Sequence, residues 1–204
     1  MSAEVDDSAL RLALGRWCDA LDAVGPELNA LDARLGDGDL GTTLTKCAAN
    51  VRGVLRADPA GLGATLKSCA MACAKASGSS FGTLLSVAFL TAAKAVGDQV
   101  RLERGALVEI LGLVGKALAQ RGGAVPGDKT MLDSIDAIAQ ALHACAPDAD
   151  VSALKAAARR GAASALDAFR GKPNRIGRAR MFAEQSVGLD DPGMVAVQRM
   201  VEAV

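Results

Sequence analysis

Tyrosine is absent from this sequence, tryptophan occurs once and phenylalanine four times. Strands draw on aromatic and β-branched residues, so this scarcity argues against a sheet-rich fold and points to an all-α one. An excess of either charge is also lacking, because 23 basic residues cancel 23 acidic ones. No basic block or stripe suggests nucleic acid, and no cationic amphipathic face suggests a membrane surface. No apolar run reaches the roughly 18 residues that a membrane span needs. The opening, MSAEVDDSALRLALGRW, is acidic before it is apolar and does not read as a secretory signal, so a cytoplasmic location is expected. Histidine occurs once, as His143 in HACAPDAD near a helix end. Capping or solvent exposure is the expected role there, rather than catalysis.

Cysteine is present but in no pairing pattern. The five residues Cys18, Cys47, Cys69, Cys73 and Cys145 are odd in number and form no C-x-x-C. Cys69 and Cys73 continue the apolar stripe of Leu62 and Leu66, which predicts buried free thiols.

What remains is rich in helix formers. Half the residues are apolar, ample for the core of one domain spanning 1–204. Leu10, Leu14, Trp17 and Leu21 fall on one helical stripe, as do Leu62, Leu66, Cys69 and Cys73, and again Met131, Ile135, Ile138 and Leu142. Breakers divide the chain into about eight helices. Gly25-Pro26 is expected to end one and open the next. Another covers roughly 42–56. Asp58-Pro59 is expected to cap a helix running to about 76. Further helices are expected to about 96, over 103–120, 130–145 and 150–170, with a short last one after Asp191-Pro192-Gly193. The short connections suit a bundle or a closed helical barrel.

Five junctions concentrate glycine, hydroxyls and charge: LGDGDLGTT, ASGSSFGT, RGGAVPGDKT, GRARMFAEQS and GLDDPG. Loops presented by a rigid scaffold are where function concentrates. In the first, Asp37 and Asp39 flank Gly38, and Asp32 ends the preceding helix. Three hard oxygen donors suit Mg²⁺ or Ca²⁺ far better than zinc. Crowded carboxylates repel unless a cation compensates, and Gly36 and Gly38 can take φ > 0 to fold the backbone around an ion. Gly41-Thr42-Thr43 then opens a helix whose N–H groups offer an anion site beside the cation. From spacing alone, a cation site and a plain Asp/Gly turn both stay open. An EF-hand starting at Asp37 would need Glu where Ala48 stands. A P-loop would need GxxxxGK[ST], which GDKT does not satisfy. The serines at 77–80 read equally as a helix cap. Arg178 reads as a solvated charge or, beside a phosphate, as a planar permanent cation.

In this order, LDARLGDGDLG, ASGSSFGT, GDKTMLD, GRARMFAEQSVG and DPG resemble the nucleotide-binding L subunit of dihydroxyacetone kinases, equivalent to the C-terminal domain of the single-chain enzymes. The resemblance covers about residues 31–193. It implies a closed barrel of eight antiparallel amphipathic helices, with ADP or ATP held by the loops at one end. It also implies two Mg²⁺ ions bridging the phosphates to Asp32, Asp37 and Asp39. Leu40, Gly41, Thr42 and Thr43 map onto a phosphate-contacting turn, and Ser77 and Gly78 onto a serine-glycine loop near the phosphates. Gly122 and Met131 map onto the base and sugar wall, Arg178 onto a nucleotide-contacting arginine, and Asp191, Pro192 and Gly193 onto the closing segment.

The implied reaction is phosphoryl transfer to the terminal hydroxyl of a short ketose held, through a histidine, on a separate K subunit. No histidine here matches that motif, so a partner is expected. The nucleotide would be exchanging ATP, or an ADP recharged by a phosphotransferase-system protein. A homodimer is left open. Family members carry histidine and asparagine where Leu40 and Thr43 stand, and Leu40 cannot hydrogen-bond a phosphate. Two alternatives follow: a kinase subunit for another short sugar such as erythrulose, or a Mg-ADP-binding regulatory module without turnover.

Overall fold

The computed structural model describes residues 4–76 and 79–204. Among them are eight α-helices: α1 (Asp7–Leu35), α2 (Leu40–Leu55), α3 (Leu62–Lys75), α4 (Ser80–Val96), α5 (Arg104–Gly122), α6 (Met131–His143), α7 (Val151–Arg170) and α8 (Pro192–Ala203). A 3-10 turn covers Arg178–Phe182 between α7 and α8. Each helix packs on the next, and α8 packs on both α7 and α1, so the order of neighbours closes on itself. No helix among the described residues is long and apolar enough to cross a membrane.

The core follows the stripes. Leu21, Leu28, Leu44, Cys47, Val51 and Cys69 are fully enclosed where α1, α2 and α3 meet. Trp17 meets Phe89 edge-on, with ring centroids 5.9 Å apart. Cys18, Cys47, Cys69 and Cys73 are buried free thiols, as the spacing predicts for Cys69 and Cys73, while Cys145 is a half-buried one. Burial pushes Cys18 up to about 11 and Cys69 up to about 12, so neither is a thiolate at neutral pH.

Three local expectations are corrected. First, Gly25-Pro26 does not break the chain, because Pro26 lies inside α1. Leu21, Gly25 and Leu28 form one buried stripe across it, while Pro26 faces solvent, where the carbonyl it leaves unbonded can be hydrated. Gly25 is the point where α2 crosses closest: a methyl added at Gly41 would lie 1.9 Å from the Gly25 carbonyl oxygen. Packing here outweighs the proline's local preference.

Second, Asp58-Pro59 caps nothing, and α3 starts later, behind Gly61. Arg11 donates to the carbonyls of Leu55 at 2.7 Å and Ala57 at 2.6 Å, tying the end of α2 and the turn after it to α1. Third, a short antiparallel ribbon joins β1 (Glu4–Asp6) to β2 (Arg101–Glu103), with Val5 opposite Leu102. Its three-residue strands are too short to leave an alternating pattern in the sequence.

Candidate functional site

All five singled-out loops meet at one end of the molecule, around a cavity of about 700 Å³. Its polar end is built by the break between α1 and α2. Asp32, Asp37 and Asp39 converge there, each presenting a carboxylate oxygen, with all three oxygens within 4.8 Å of one another. Gly38 takes φ 75°, as its place between two aspartates suggests, whereas Gly36 stays at φ −155°. The Asp32 carboxylate also accepts the backbone N–H groups of Asp39 at 3.0 Å and Leu40 at 3.3 Å. One acid therefore both belongs to the cluster and caps α2.

That cap changes the expected anion site. Asn29 accepts the N–H of Thr42 at 3.0 Å and donates to its hydroxyl at 3.0 Å, and the Thr43 N–H bonds the Asp39 carbonyl at 2.9 Å. The N–H groups of Leu40, Thr42 and Thr43 are thus committed to protein acceptors, and are not free as the sequence suggests. Of the mapped turn, Leu40 lines the cavity, while Gly41, Thr42 and Thr43 lie outside its walls. Leu40 is buried and belongs to the core cluster.

Arg178 stands across the mouth and forms an ion pair with Asp37, both side chains about half exposed. The opposite end is apolar: Phe81, Leu84, Leu118, Met131, Leu132 and Ile176 supply it, with Gly122 beside them. Met131 and Leu132 are placed by a capping box, in which Thr130 accepts from the Leu132 N–H at 3.2 Å and Asp133 accepts from the Thr130 N–H at 2.9 Å. Asp191, Pro192 and Gly193 close the floor. Asp191 caps α8 by accepting from the Met194 N–H at 2.9 Å and from Asn174 at 2.7 Å. Burial outweighs these bonds and pushes its carboxyl up to about 6.

The structure therefore brings together Asp32, Asp37, Asp39, Leu40, Gly122, Met131, Arg178 and the 191–193 segment. Ser77 and Gly78 lie outside the described residues. Sequence reasoning assigns no site role to Ser79, Ser80, Thr83 and Arg121, although all four lie within the quoted ASGSSFGT and RGGAVPGDKT and line the cavity; Ser79 caps α4, the alternative that the sequence left open, and Asn174 was missed. A single asparagine in GKPNRIGR carries no spacing signal.

The donor set suits a divalent cation: three carboxylates and no soft ligand. The cavity offers negative charge and a guanidinium at one end and apolar walls at the other. Among the described residues, no side chain in it forms a nucleophile–base pair.

The DAK2 domain model matches residues 34–204. Human triokinase/FMN cyclase is 31% identical over 198 residues, which are 96% of this chain and 34% of that protein. The L-erythrulose 1-kinase of Mycolicibacterium smegmatis is 33% identical over 185 residues, 87% of this chain and 32% of that one. The chain thus spans about a third of the length of these curated relatives. The ADP-binding subunit DhaL of the PEP-dependent dihydroxyacetone kinase 1 of Listeria innocua is 28% identical over 167 residues, 81% of this chain and 79% of that subunit. The crystal structure of the dihydroxyacetone kinase of C. freundii superposes with a TM-score of 0.75 at 23% identity, covering 100% of this chain and 35% of that one. Its complex with AMP-PNP and Mg²⁺ gives 0.73. The all-α fold is common to both.

Proposed function

The chain belongs to the DAK2 domain family, and from that premise we propose that it is the nucleotide-binding, phosphoryl-donating subunit of a short-ketose kinase. The carrying observation is the cavity's polarity: three convergent carboxylates face Arg178 at one end, and an apolar slot occupies the other. A nucleoside polyphosphate with a divalent cation has this charge layout.

Asp32, Asp37 and Asp39 would hold the Mg²⁺, two ions in the family's arrangement. Bound there, Mg²⁺ would neutralise charge on the phosphates. The protein's own part is positional. Asp32 stays fixed because its carboxylate already holds the start of α2. Arg178 supplies a planar, permanent positive charge at the mouth. Leu84, Leu118, Met131 and Ile176 take the base and exclude water. Phosphoryl transfer needs positioning and charge neutralisation more than a protein nucleophile, which suits a cavity without a nucleophile–base pair. Asp191 does not serve as a base, since both its oxygens are engaged in capping and in the Asn174 bond.

The ketose would be carried by a separate substrate-binding subunit, or by a further domain such as the longer relatives have room for. Dihydroxyacetone and erythrulose are the substrate classes that the relatives' names support. The phosphoryl source is ATP that exchanges or ADP recharged in place.

Titration calorimetry with ADP and ATP, with and without Mg²⁺, tests the reading on wild type and Asp37→Asn. Mg-dependent binding that the substitution weakens severely is expected; equal affinity in both proteins would sink the cation assignment. One observation favours a second reading. Leu40 is packed into the core and offers the phosphates no hydrogen bond, which suits a module that retains Mg-ADP and docks a partner without turnover. Turnover of dihydroxyacetone or erythrulose on mixing with a substrate-binding subunit separates the two.

A further inference from the structure

Lys129, in the GDKT motif, sits at the hub of the loops behind the cavity. Its side chain is fully enclosed, and its backbone takes φ 62°, in the left-handed region that a lysine rarely occupies. The ammonium spends its three protons on main-chain carbonyls: Ser186 at 2.7 Å, Lys172 at 2.8 Å and Arg170 at 3.3 Å. An enclosed charge is costly unless fully bonded, and an apolar residue of like volume would fill the space as stably. What an apolar residue could not do is draw three carbonyls from two separate strands of chain to one point.

Those carbonyls sit at the two limbs of segment 171–191, the long connection between α7 and α8 that carries Arg178 at its turn. Other bonds lead to the same hub. Asn174 donates to the Lys129 carbonyl at 2.8 Å and to Asp191 at 2.7 Å. Its own N–H bonds Ser186 Oγ at 2.8 Å, and the Arg175 N–H bonds the Asp128 carbonyl at 3.1 Å. Immediately after Lys129, Thr130 and Met131 enter the cavity wall. The Lys129 side chain therefore ties the chain entering the 130–132 wall to both limbs of the Arg178 segment, and Asn174 extends the hub to Asp191 in the 191–193 wall. The acid cluster stands apart, on α1, the 36–39 loop and the cap of α2.

We propose that Lys129 is a positioning residue for Arg178, clamping both limbs of segment 171–191 so that the guanidinium faces the acid cluster at the distance a bound polyphosphate needs. This rests on the nucleotide reading above.

The test is a double-mutant cycle on the full chain with Lys129→Met, Arg178→Ala and the double variant, measuring Mg-ADP affinity by calorimetry and Mn²⁺ binding alone by electron paramagnetic resonance. Lys129→Met is expected to weaken Mg-ADP about tenfold, equivalent to about 1.4 kcal/mol. It should leave Mn²⁺ affinity undiminished, because the acids are held elsewhere. Arg178→Ala should weaken Mg-ADP at least as much, and the double variant no more than Arg178→Ala alone. Amide exchange should quicken at Asn174, Arg175, Ser186 and Gly188, and not in α1 to α3. Additive losses in the cycle, or equal losses of Mn²⁺ and Mg-ADP, would overturn the positioning role. Should Lys129→Met fail to fold, Asn174→Ala replaces it with the same expectations. A wild type that binds no Mg-ADP fails the nucleotide reading and the role together, whereas a binding wild type with an additive cycle fails the role alone.

Discussion

Arg178 and Asp37, far apart in the chain, form an ion pair across the mouth of the cavity. Asp37 is also one of the three acids clustered for a cation. The guanidinium and a divalent ion therefore compete for one carboxylate until a polyphosphate offers Arg178 another partner. Arg178→Ala is expected to tighten Mn²⁺ binding in the absence of nucleotide about two- to fivefold, the scale of a half-exposed ion pair. Electron paramagnetic resonance of bound Mn²⁺ reads this. Weaker binding in the variant would mean that Arg178 does not contest Asp37.

The acids differ in what else they do. Asp32 accepts two N–H groups at the start of α2, and Asp37 accepts none among the described residues. Asp32→Ala should lower stability by about 1 kcal/mol, the usual loss on removing a cap. Asp37→Ala should stay within about 0.5 kcal/mol of wild type, while both variants lose cation binding. Urea unfolding without divalent ions separates them, and equal stabilities would contradict the capping role of Asp32.

Gly41 has no room for a side chain. A methyl there would lie 1.9 Å from the Gly25 carbonyl oxygen and 2.9 Å from Asn29 Oδ1. Gly41→Ala must push α1 and α2 apart, at about 3 kcal/mol or more. A melting temperature close to wild type would show that the crossing can widen freely.

Asp191 should leave a pH signature. Burial raises its folded pKa from 3.8 to about 6, so the folded state binds its proton more tightly than the unfolded chain does. Its contribution to stability is full below about 4 and is lost as pH rises to about 6. In Asp191→Asn that loss is absent. The stability of the variant relative to wild type should therefore rise by about 2 kcal/mol between pH 4 and 7, at about 1.4 kcal/mol per pKa unit. Denaturant unfolding at several pH values checks this, and a flat difference would place the charge of Asp191 in a solvated setting.

The GDGD acids and the Asp191-Pro192 helix start were both legible beforehand, because each is a local arrangement within a few residues. Asn174 was not. Its role comes from partners distant in the chain, Lys129 and Asp191, and a lone asparagine in a loop looks the same whether or not such partners exist. Leu40 was legible as an odd residue beside the acids; that it is a core residue was not.

The sequence by itself determined that this chain is helical, since aromatic scarcity and apolar stripes at helical spacing are properties of neighbours along the chain. It also placed three aspartates within eight residues at the break between α1 and α2, while their convergence on one point was decided by the fold. Tertiary structure alone decided that Pro26 stays inside α1, because burying Leu21 and Leu28 against α2 outweighs one missing hydrogen bond. It decided that Asp32 and Asn29 occupy the Leu40 and Thr42 N–H groups that the sequence left free for an anion. It also decided that Arg178 meets Asp37 while Lys129 holds the segment bringing it there. Each of these depends on distances across space, which spacing along the chain does not encode.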